Sequence, residues 1–199
     1  MPTDFTHAII GFGASRLPAQ RREGGRLFAW TAVLLPVVPD LDSHFMRWIP
    51  YEHTFGHRGF SHSLVFALLL AAAAALVCRR CRTWFPGGMW GMGALFFALG
   101  VSHGLLDAMT DGGLGVAFFS PFSNDRYFLP WTPIPVSPFG IVTADQRMQF
   151  LSAFSVEVLL FWPLALALPV YRSGLQRPFN VVVACLMVAV SAVGWISRI

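Results

Sequence analysis

Lysine is absent from this chain of 199 residues, and only 12% of the residues are charged. All 14 basic residues are therefore arginines. A hydrophobic content of 55% and a mean hydropathy of +0.59 leave too few polar side chains to cover the surface of a soluble domain of this length. The composition excludes a soluble fold and predicts a single integral membrane domain over residues 1–199.

Cysteine is also scarce, with three residues in the whole chain. Cys78 and Cys81 form one Cys-Arg-Arg-Cys pair, and Cys185 stands alone, so no second pair exists to complete a four-cysteine zinc site. We favour the interpretation that these cysteines are simply small interfacial residues in a reducing compartment. The arginines form no continuous stripe and accompany no nucleic-acid-binding motif, so nucleic acid is not an expected partner.

Long apolar runs are abundant, and they predict an all-α, polytopic transmembrane bundle of five or six membrane segments. Residues 62–77, 89–109, 150–171 and 179–196 are the strong candidates. Two shorter runs, of about 12–13 residues against the roughly 20 that a full span needs, cover residues 5–17 and 27–38. The polar motifs fall within residues 1–145, and two further apolar helices occupy 150–199.

The arginines are distributed unevenly between the connections. Residues 16–26, 79–82 and 172–177 hold nine of the 14, and six alternating segments put all three connections on the same side. The positive-inside rule makes that side cytoplasmic. The opposite, non-cytoplasmic side then receives residues 40–61 and 110–149. On this topology every candidate metal ligand reaches the non-cytoplasmic face: His7, Asp40, Asp42, His57, His62, His103 and Asp107.

The spacing of the two candidate ligands at the end of the fourth apolar segment supports their assignment. His103 and Asp107 are four residues apart, so they share one helix face. Both can reach one metal, or Asp107 can hydrogen-bond to the ring of His103 and orient it toward a metal. Asp40 and Asp42 follow Pro39, and one of them can bind while the other bridges or orients a histidine.

The Gly56–Ser63 stretch combines imidazole, guanidinium and hydroxyl groups in front of an apolar run. His57 and His62 lie five apart around Gly59, a spacing that fits a loop entering a helix with Ser61 as its N-cap. Neutral imidazoles together with carboxylates predict one or two divalent ions, with zinc the first choice and manganese the alternative.

Three further charged residues stand out. Arg58 and Arg126 lie on the side that is poor in arginine, where each could hold an anion through a bidentate fork or pair with an acid such as Asp125. Glu157 lies well within an apolar segment, where an unsatisfied carboxylate is costly. It could pair with an arginine, relay protons, act as a base or make a buried structural hydrogen bond.

The motifs together resemble those of the YdjM-type inner-membrane proteins, described as membrane-bound metal-dependent hydrolases. The resemblance covers about residues 1–145, with a serine at Ser61 where the family usually has threonine. It implies a metal-dependent hydrolase in the bacterial inner membrane. A weaker similarity to zinc-dependent phospholipases lacks that pattern's further downstream ligands, so one or two metals are expected rather than three. The matching residues are His7, Pro39-Asp40-Leu-Asp42, His57-Arg58-Gly-Phe-Ser61-His62-Ser63, His103-Gly-Leu-Leu-Asp107, and Ser120-Pro-Phe-Ser with Arg126.

The expected reaction is hydrolysis of an ester or phosphoester in a membrane lipid or lipid-linked substrate at the non-cytoplasmic face. Asp40 or Asp107 would take a proton, and Arg58 and Arg126 would stabilise anionic charge. Two other classes stay open. A metal or ion transporter needs polar groups along a path through the bilayer, which the cytoplasmic halves scarcely supply beyond Glu157. A non-catalytic protein with a structural metal would have all of its ligand positions filled.

Overall fold

The computed structural model describes residues 2–16, 25–81 and 85–172, with side chains described as far as residue 167. Within these ranges the chain is helical and forms no β-sheet, which confirms the all-α prediction. The predicted segment 179–196 lies outside the described residues. The α-helices are α1 Asp4–Ala14, α2 Gly25–Leu34, α3 Leu64–Arg80, α4 Gly88–Ala108, α5 Ala144–Leu160 and α6 Trp162–Arg172, and 3₁₀ helices cover Leu35–Phe45 and Phe60–His62.

Helix α4, with 21 residues, is the one helix of the described ranges that is both long and apolar enough to cross a membrane. Helices α3 and α5 have 17 residues each, and α1, α2 and α6 have 11, 10 and 11. The described part of the chain therefore supplies one candidate span by length and composition, where the sequence predicted five or six membrane segments.

Helices α3 and α4 form the centre of the bundle because small residues let them approach closely. Ala67, Ala71 and Ala75 recur every fourth residue, so they form one buried face of α3. Gly100 of α4 lies against Ala67, and a Cβ at that glycine would come within 3.0 Å of the Ala67 Cβ. Small residues at such a helix contact are typical of membrane bundles, where packing replaces the hydrophobic effect.

Helix α1 packs between α2 and α6 through two glycines. A Cβ on Gly11 would lie 2.1 Å from the carbonyl oxygen of Ala32 on α2. A Cβ on Gly13 would lie 2.3 Å from the carbonyl oxygen of Ala165 on α6. These contacts fix α1 against backbone rather than against adaptable side chains, so its position in the bundle is narrowly defined.

Two boundaries differ from the sequence expectations. Residues 150–171 were predicted as one segment, but helices α5 and α6 divide it at Phe161. Pro163 follows at the start of α6, where its missing N–H is tolerated, whereas it would break a continuous helix. The predicted N-cap Ser61 was also wrong, because Ser63 accepts the hydrogen bond from the Phe66 N–H, at 3.1 Å, that begins α3.

Replacing Gly11 with alanine tests the close approach of α1 and α2. The added methyl would overlap the Ala32 carbonyl, so we expect Gly11→Ala to destabilise the protein by about 1–3 kcal/mol, as overpacking does in other cores. Thermal unfolding in detergent is the measurement. Gly25→Ala is the matched control, because nothing lies within 4 Å of a Cβ at that position. Equal stabilities of the two variants would contradict this packing.

Candidate metal centre

Five separate parts of the chain bring the predicted ligands to one place. The 3₁₀ helix after α2 carries Asp40 and Asp42, and the last turns of α4 carry His103 and Asp107. His7 comes from α1, His57 from a loop, and His62 from the short 3₁₀ helix before α3. Two overlapping groups have ligand atoms all within 4.8 Å of one another: Asp40, Asp42, His57 and His62, and Asp40, His62, His103 and Asp107.

Asp40 lies at the centre of this cluster and belongs to both groups. Its Oδ1 is 3.4 Å from His62 Nε2 and 3.6 Å from His103 Nε2, and its Oδ2 is 4.0 Å from His7 Nε2. Burial raises the pKa of the Asp40 carboxyl, but the neighbouring His103 and His62 lower it by more, so the net pKa lies below its usual value. Asp40 is therefore an ionised carboxylate among imidazoles.

The ring of His103 is oriented by a backbone carbonyl. Its Nδ1 lies 2.7 Å from the Pro36 oxygen, a contact in which only a protonated Nδ1 can donate. Pro39 has no N–H to form the 3₁₀ bond back to Pro36, which leaves that carbonyl available. The Nε2 of His103 then carries a lone pair and points to Asp40 and to Asp107, 3.7 Å away. This is the tautomer that binds a metal.

Asp42 contacts two histidine rings of the cluster. Its Oδ1 accepts from His57 Nδ1 at 2.6 Å, and its Oδ2 accepts from the Ser61 hydroxyl and lies 3.3 Å from His62 Nδ1. Burial raises the pKa of Asp42, but these two histidines together bring it well below its usual value. A carboxylate that orients a ligating histidine is a common outer partner of metal sites. The sequence predicted Asp42 as a ligand and Asp40 as a ligand or a bridge; the contacts of Asp42 fit an orienting role, and its predicted role as a ligand stays a prediction.

Arg58 is buried beside Asp107 and fixes the other side of the cluster. Its Nη2 lies 3.4 Å from Asp107 Oδ1 and donates to the Thr110 hydroxyl at 3.0 Å, while Nη1 donates to the Gly112 carbonyl at 3.0 Å. The backbone φ of Arg58 is 61°, in the left-handed region that a non-glycine residue seldom adopts. The contacts of the guanidinium with Asp107, Thr110 and Gly112 hold the residue in this strained conformation, so the loop presents the Arg58 side chain in one position.

Arg126 does not reach the cluster and does not pair with Asp125, whose Oδ2 accepts from Ser123. The Arg126 guanidinium donates to the carbonyls of His57 at 3.0 Å and Tyr51 at 2.7 Å, and it lies over the Tyr51 ring. It therefore stabilises the loop that carries His57 and Arg58. Its predicted role in stabilising anionic charge stays a prediction.

The side chains fit a divalent cation because many of their polar atoms are buried without a hydrogen-bond partner. Such atoms normally cost free energy, so a whole group of them at one place indicates a ligand. The cluster holds three carboxylates, and only Asp107 is paired with the Arg58 guanidinium, so an excess of negative charge is left that a cation would offset. The atoms able to bind a cation are both ring nitrogens of His7, both carboxylate oxygens of Asp40, Asp107 Oδ2, and the Nε2 atoms of His57, His62 and His103.

Three polar neighbours of the cluster were missed at the sequence level. Asp4 is exposed on the first turn of α1 and lies close enough to Asp40 for the two carboxylates to repel each other. Its position three residues before His7, on the same helix face, was the available signal. The sequence drew attention to Ser61 but as a helix cap; its contact with Asp42, like that of the Thr110 hydroxyl with Arg58, depends on loop geometry and was not predicted.

The chain matches the family model described as YdjM inner membrane protein over residues 1–197. The inner membrane protein YbcI of Escherichia coli (strain K12) is 38% identical over 152 residues, which cover 71% of this chain and 80% of that protein. No solved structure matches the chain. These matches confirm the resemblance drawn from the motifs and support a location in the bacterial inner membrane. The family match also extends over the last two apolar segments, which the motifs did not reach.

Removing two central imidazoles tests the metal centre. We expect the His62→Ala/His103→Ala double variant to lose the bound divalent metal, because both Nε2 atoms face Asp40. Elemental analysis of the purified protein measures the ratio of metal to chain. His53→Ala is the matched control, since that exposed ring only accepts from the Phe55 N–H. Stoichiometric metal in the double variant would place the ion elsewhere.

Proposed function

Because the chain belongs to the YdjM inner membrane protein family, we propose that it is a membrane-embedded metal-dependent hydrolase. Its proposed substrate is a lipid or lipid-linked ester or phosphoester at the non-cytoplasmic membrane face. The observation that carries the proposal is the convergence of buried, unpartnered imidazole and carboxylate atoms on Asp40. Zinc is the first candidate ion because of the imidazoles, and manganese is the alternative.

In this proposal Asp40, His62, His103 and Asp107 hold the ion, with His7 and His57 as the adjoining ligands. A divalent ion bound there would act as a Lewis acid and lower the pKa of a coordinated water. Asp42 keeps the rings of His57 and His62 in their orientation.

Proton transfer is assigned to a carboxylate of the same cluster. Asp40 is favoured over Asp107 because both of its oxygens lack a hydrogen-bond donor, whereas Asp107 Oδ1 accepts from Arg58. Arg58 lies next to the reacting region and can stabilise anionic charge there. Arg126 contributes by holding the backbone of the loop that bears His57 and Arg58.

The proposed topology retains five or six membrane segments with the metal centre on the non-cytoplasmic side. Its support is the position of the cluster at the start of α3 and the end of α4, while Arg79 and Arg80 lie at the other end of α3. The 17 residues of α3 measure about 26 Å at 1.5 Å per residue, close to the thickness of a bilayer's hydrocarbon core. Leu68, Leu69 and Leu76 are exposed on α3, as lipid-facing residues would be.

Cysteine labelling tests this topology. In a background without Cys78, Cys81 and Cys185, we expect a cysteine at Thr54 to react with an impermeant maleimide added to spheroplasts. A cysteine at Gln20 should react only after the membrane is opened, because the positive-inside rule places the Arg16–Arg26 connection in the cytoplasm. Equal labelling of the two positions from outside would refute the topology.

Hydrolysis by the detergent-solubilised protein tests the reaction. With Zn²⁺ or Mn²⁺ added, we expect turnover of at least one of three probes: p-nitrophenyl phosphate, bis(p-nitrophenyl) phosphate or phospholipid. Asp40→Asn should lower the rate about 10²–10⁴-fold, the usual contribution of a general base, and more if the metal is also lost. His53→Ala should retain the wild-type rate.

The same preparation separates the other two classes. Protein that keeps its metal, with every coordination position filled by side chains and no probe turned over, would indicate a structural metal. Metal uptake by proteoliposomes without hydrolysis would indicate a transporter. Either result would contradict the hydrolase proposal.

A further inference from the structure

Glu157 of α5 is fully buried and accepts four hydrogen bonds from the beginning of α1. Its Oε1 accepts from the Thr3 N–H at 3.0 Å. Its Oε2 accepts from the same N–H at 2.9 Å, from the Thr3 hydroxyl at 2.7 Å and from the Thr6 hydroxyl at 2.6 Å. The indole of Trp162 also donates to the Thr6 hydroxyl at 3.3 Å. The α5–α6 region is therefore attached to the first turn of α1 through one carboxylate.

The chemistry of this contact resembles a helix cap supplied from a distant part of the chain. Thr3 is the N-cap residue of α1, and no side chain within α1 caps the helix. The exposed N–H groups and the dipole at a helix N-terminus favour a negative charge, which Glu157 supplies from more than 150 positions away. All four contacts use donors on α1, so the carboxylate acts only as an acceptor. A buried structural hydrogen-bond role, one of the roles left open by the sequence, matches this geometry.

The anchored turn is also the turn that presents His7 to the metal centre. His7 immediately follows Thr6, its ring lies 4.0 Å from the ring of His103, and its Nε2 is 4.0 Å from Asp40 Oδ2. Both ring nitrogens of His7 are buried without a hydrogen bond, so no hydrogen bond of the ring itself fixes its position. The position of His7 is instead set by the placement of α1, which Glu157 holds at the N-terminus and Gly11 and Gly13 hold farther along.

We propose that Glu157 is a positioning residue of the metal centre: by anchoring Thr3 and Thr6, it places His7 at the ligand position beside Asp40 and His103. This inference rests on the proposed metal site but not on hydrolysis. Glu157 reaches the metal ligands only through α1, so removing it should act on the metal through His7.

A double-mutant cycle on Co²⁺ binding to the detergent-purified, metal-free full chain tests the inference. We expect Glu157→Ala to weaken Co²⁺ binding at least tenfold, the usual cost of losing an orienting partner. His7→Ala should weaken it to a similar extent, and the double variant should be no weaker than the weaker single variant. The visible absorption spectrum of bound Co²⁺ should change in the same way in both single variants. Glu157→Gln, which keeps the volume and one acceptor oxygen, should bind with intermediate affinity and provides a second test if the alanine variant does not fold.

Val156→Ala is the matched control. Val156 precedes Glu157 on α5 and belongs to an apolar cluster with Leu160 and Ile134, to which Ile10 of α1 also packs; its truncation removes apolar contacts but none of the hydrogen bonds to Thr3 and Thr6, so it should lower thermal stability and leave Co²⁺ affinity and spectrum unchanged. Wild-type affinity and spectrum in Glu157→Ala, or losses that add in the double variant, would overturn the inference. A wild-type chain that binds no Co²⁺ would overturn it together with the metal centre. Binding of Co²⁺ with the expected coupling but no hydrolysis would refute the proposed function and leave the inference standing.

Discussion

Burying an ionised carboxylate costs several kcal/mol unless donors or a cation satisfy it, and this protein buries Asp40 and Asp107 side by side. Arg58 satisfies part of Asp107, but both oxygens of Asp40 lack a hydrogen-bond partner and lie near imidazole nitrogens. A metal ion makes such an arrangement favourable, since carboxylates and neutral imidazoles become its ligands. The surrounding loops and helix ends can be understood as the means of holding these groups in place.

The buried polar cluster and the apolar helix contacts occupy different parts of the fold. Helices α3 and α4 meet along small residues, and their buried ionisable groups lie where α4 ends and where the chain approaches α3. The 3₁₀ helix after α2 contributes through its prolines, because Pro39 leaves the Pro36 carbonyl available to orient His103. Local backbone irregularity thus supplies orientation that regular helices cannot supply.

Much of the site could be predicted from the sequence because apolar periodicity and arginine distribution together determine which helix ends meet. From these two patterns alone, His7, Asp40 and His103 were predicted to lie at the same face. It could not distinguish Asp40 from Asp42, because residues two apart differ in role only through the exact turn of the 3₁₀ helix. A buried hydrogen bond of Glu157 was among the roles left open by the sequence, but its partners could not be predicted, because Thr3 and Thr6 lie more than 150 residues away and hydroxyl groups carry no periodic signal. The division of residues 150–171 at Phe161 had a visible cause in Pro163 but was masked by uniform hydropathy.

Charge balance bears on the number of ions. Asp40, Asp42 and Asp107 carry three negative charges against the one positive charge of Arg58, while metal-ligating histidines are neutral. The excess of two negative charges equals the charge of one divalent ion. A second ion would leave the buried site with a net positive charge unless an anion entered with it, and the two ligand groups share Asp40 and His62. On the charges of these four residues, one ion is favoured over two in the proposed metal centre, and an anionic substrate of the proposed hydrolysis would offset the charge of a second.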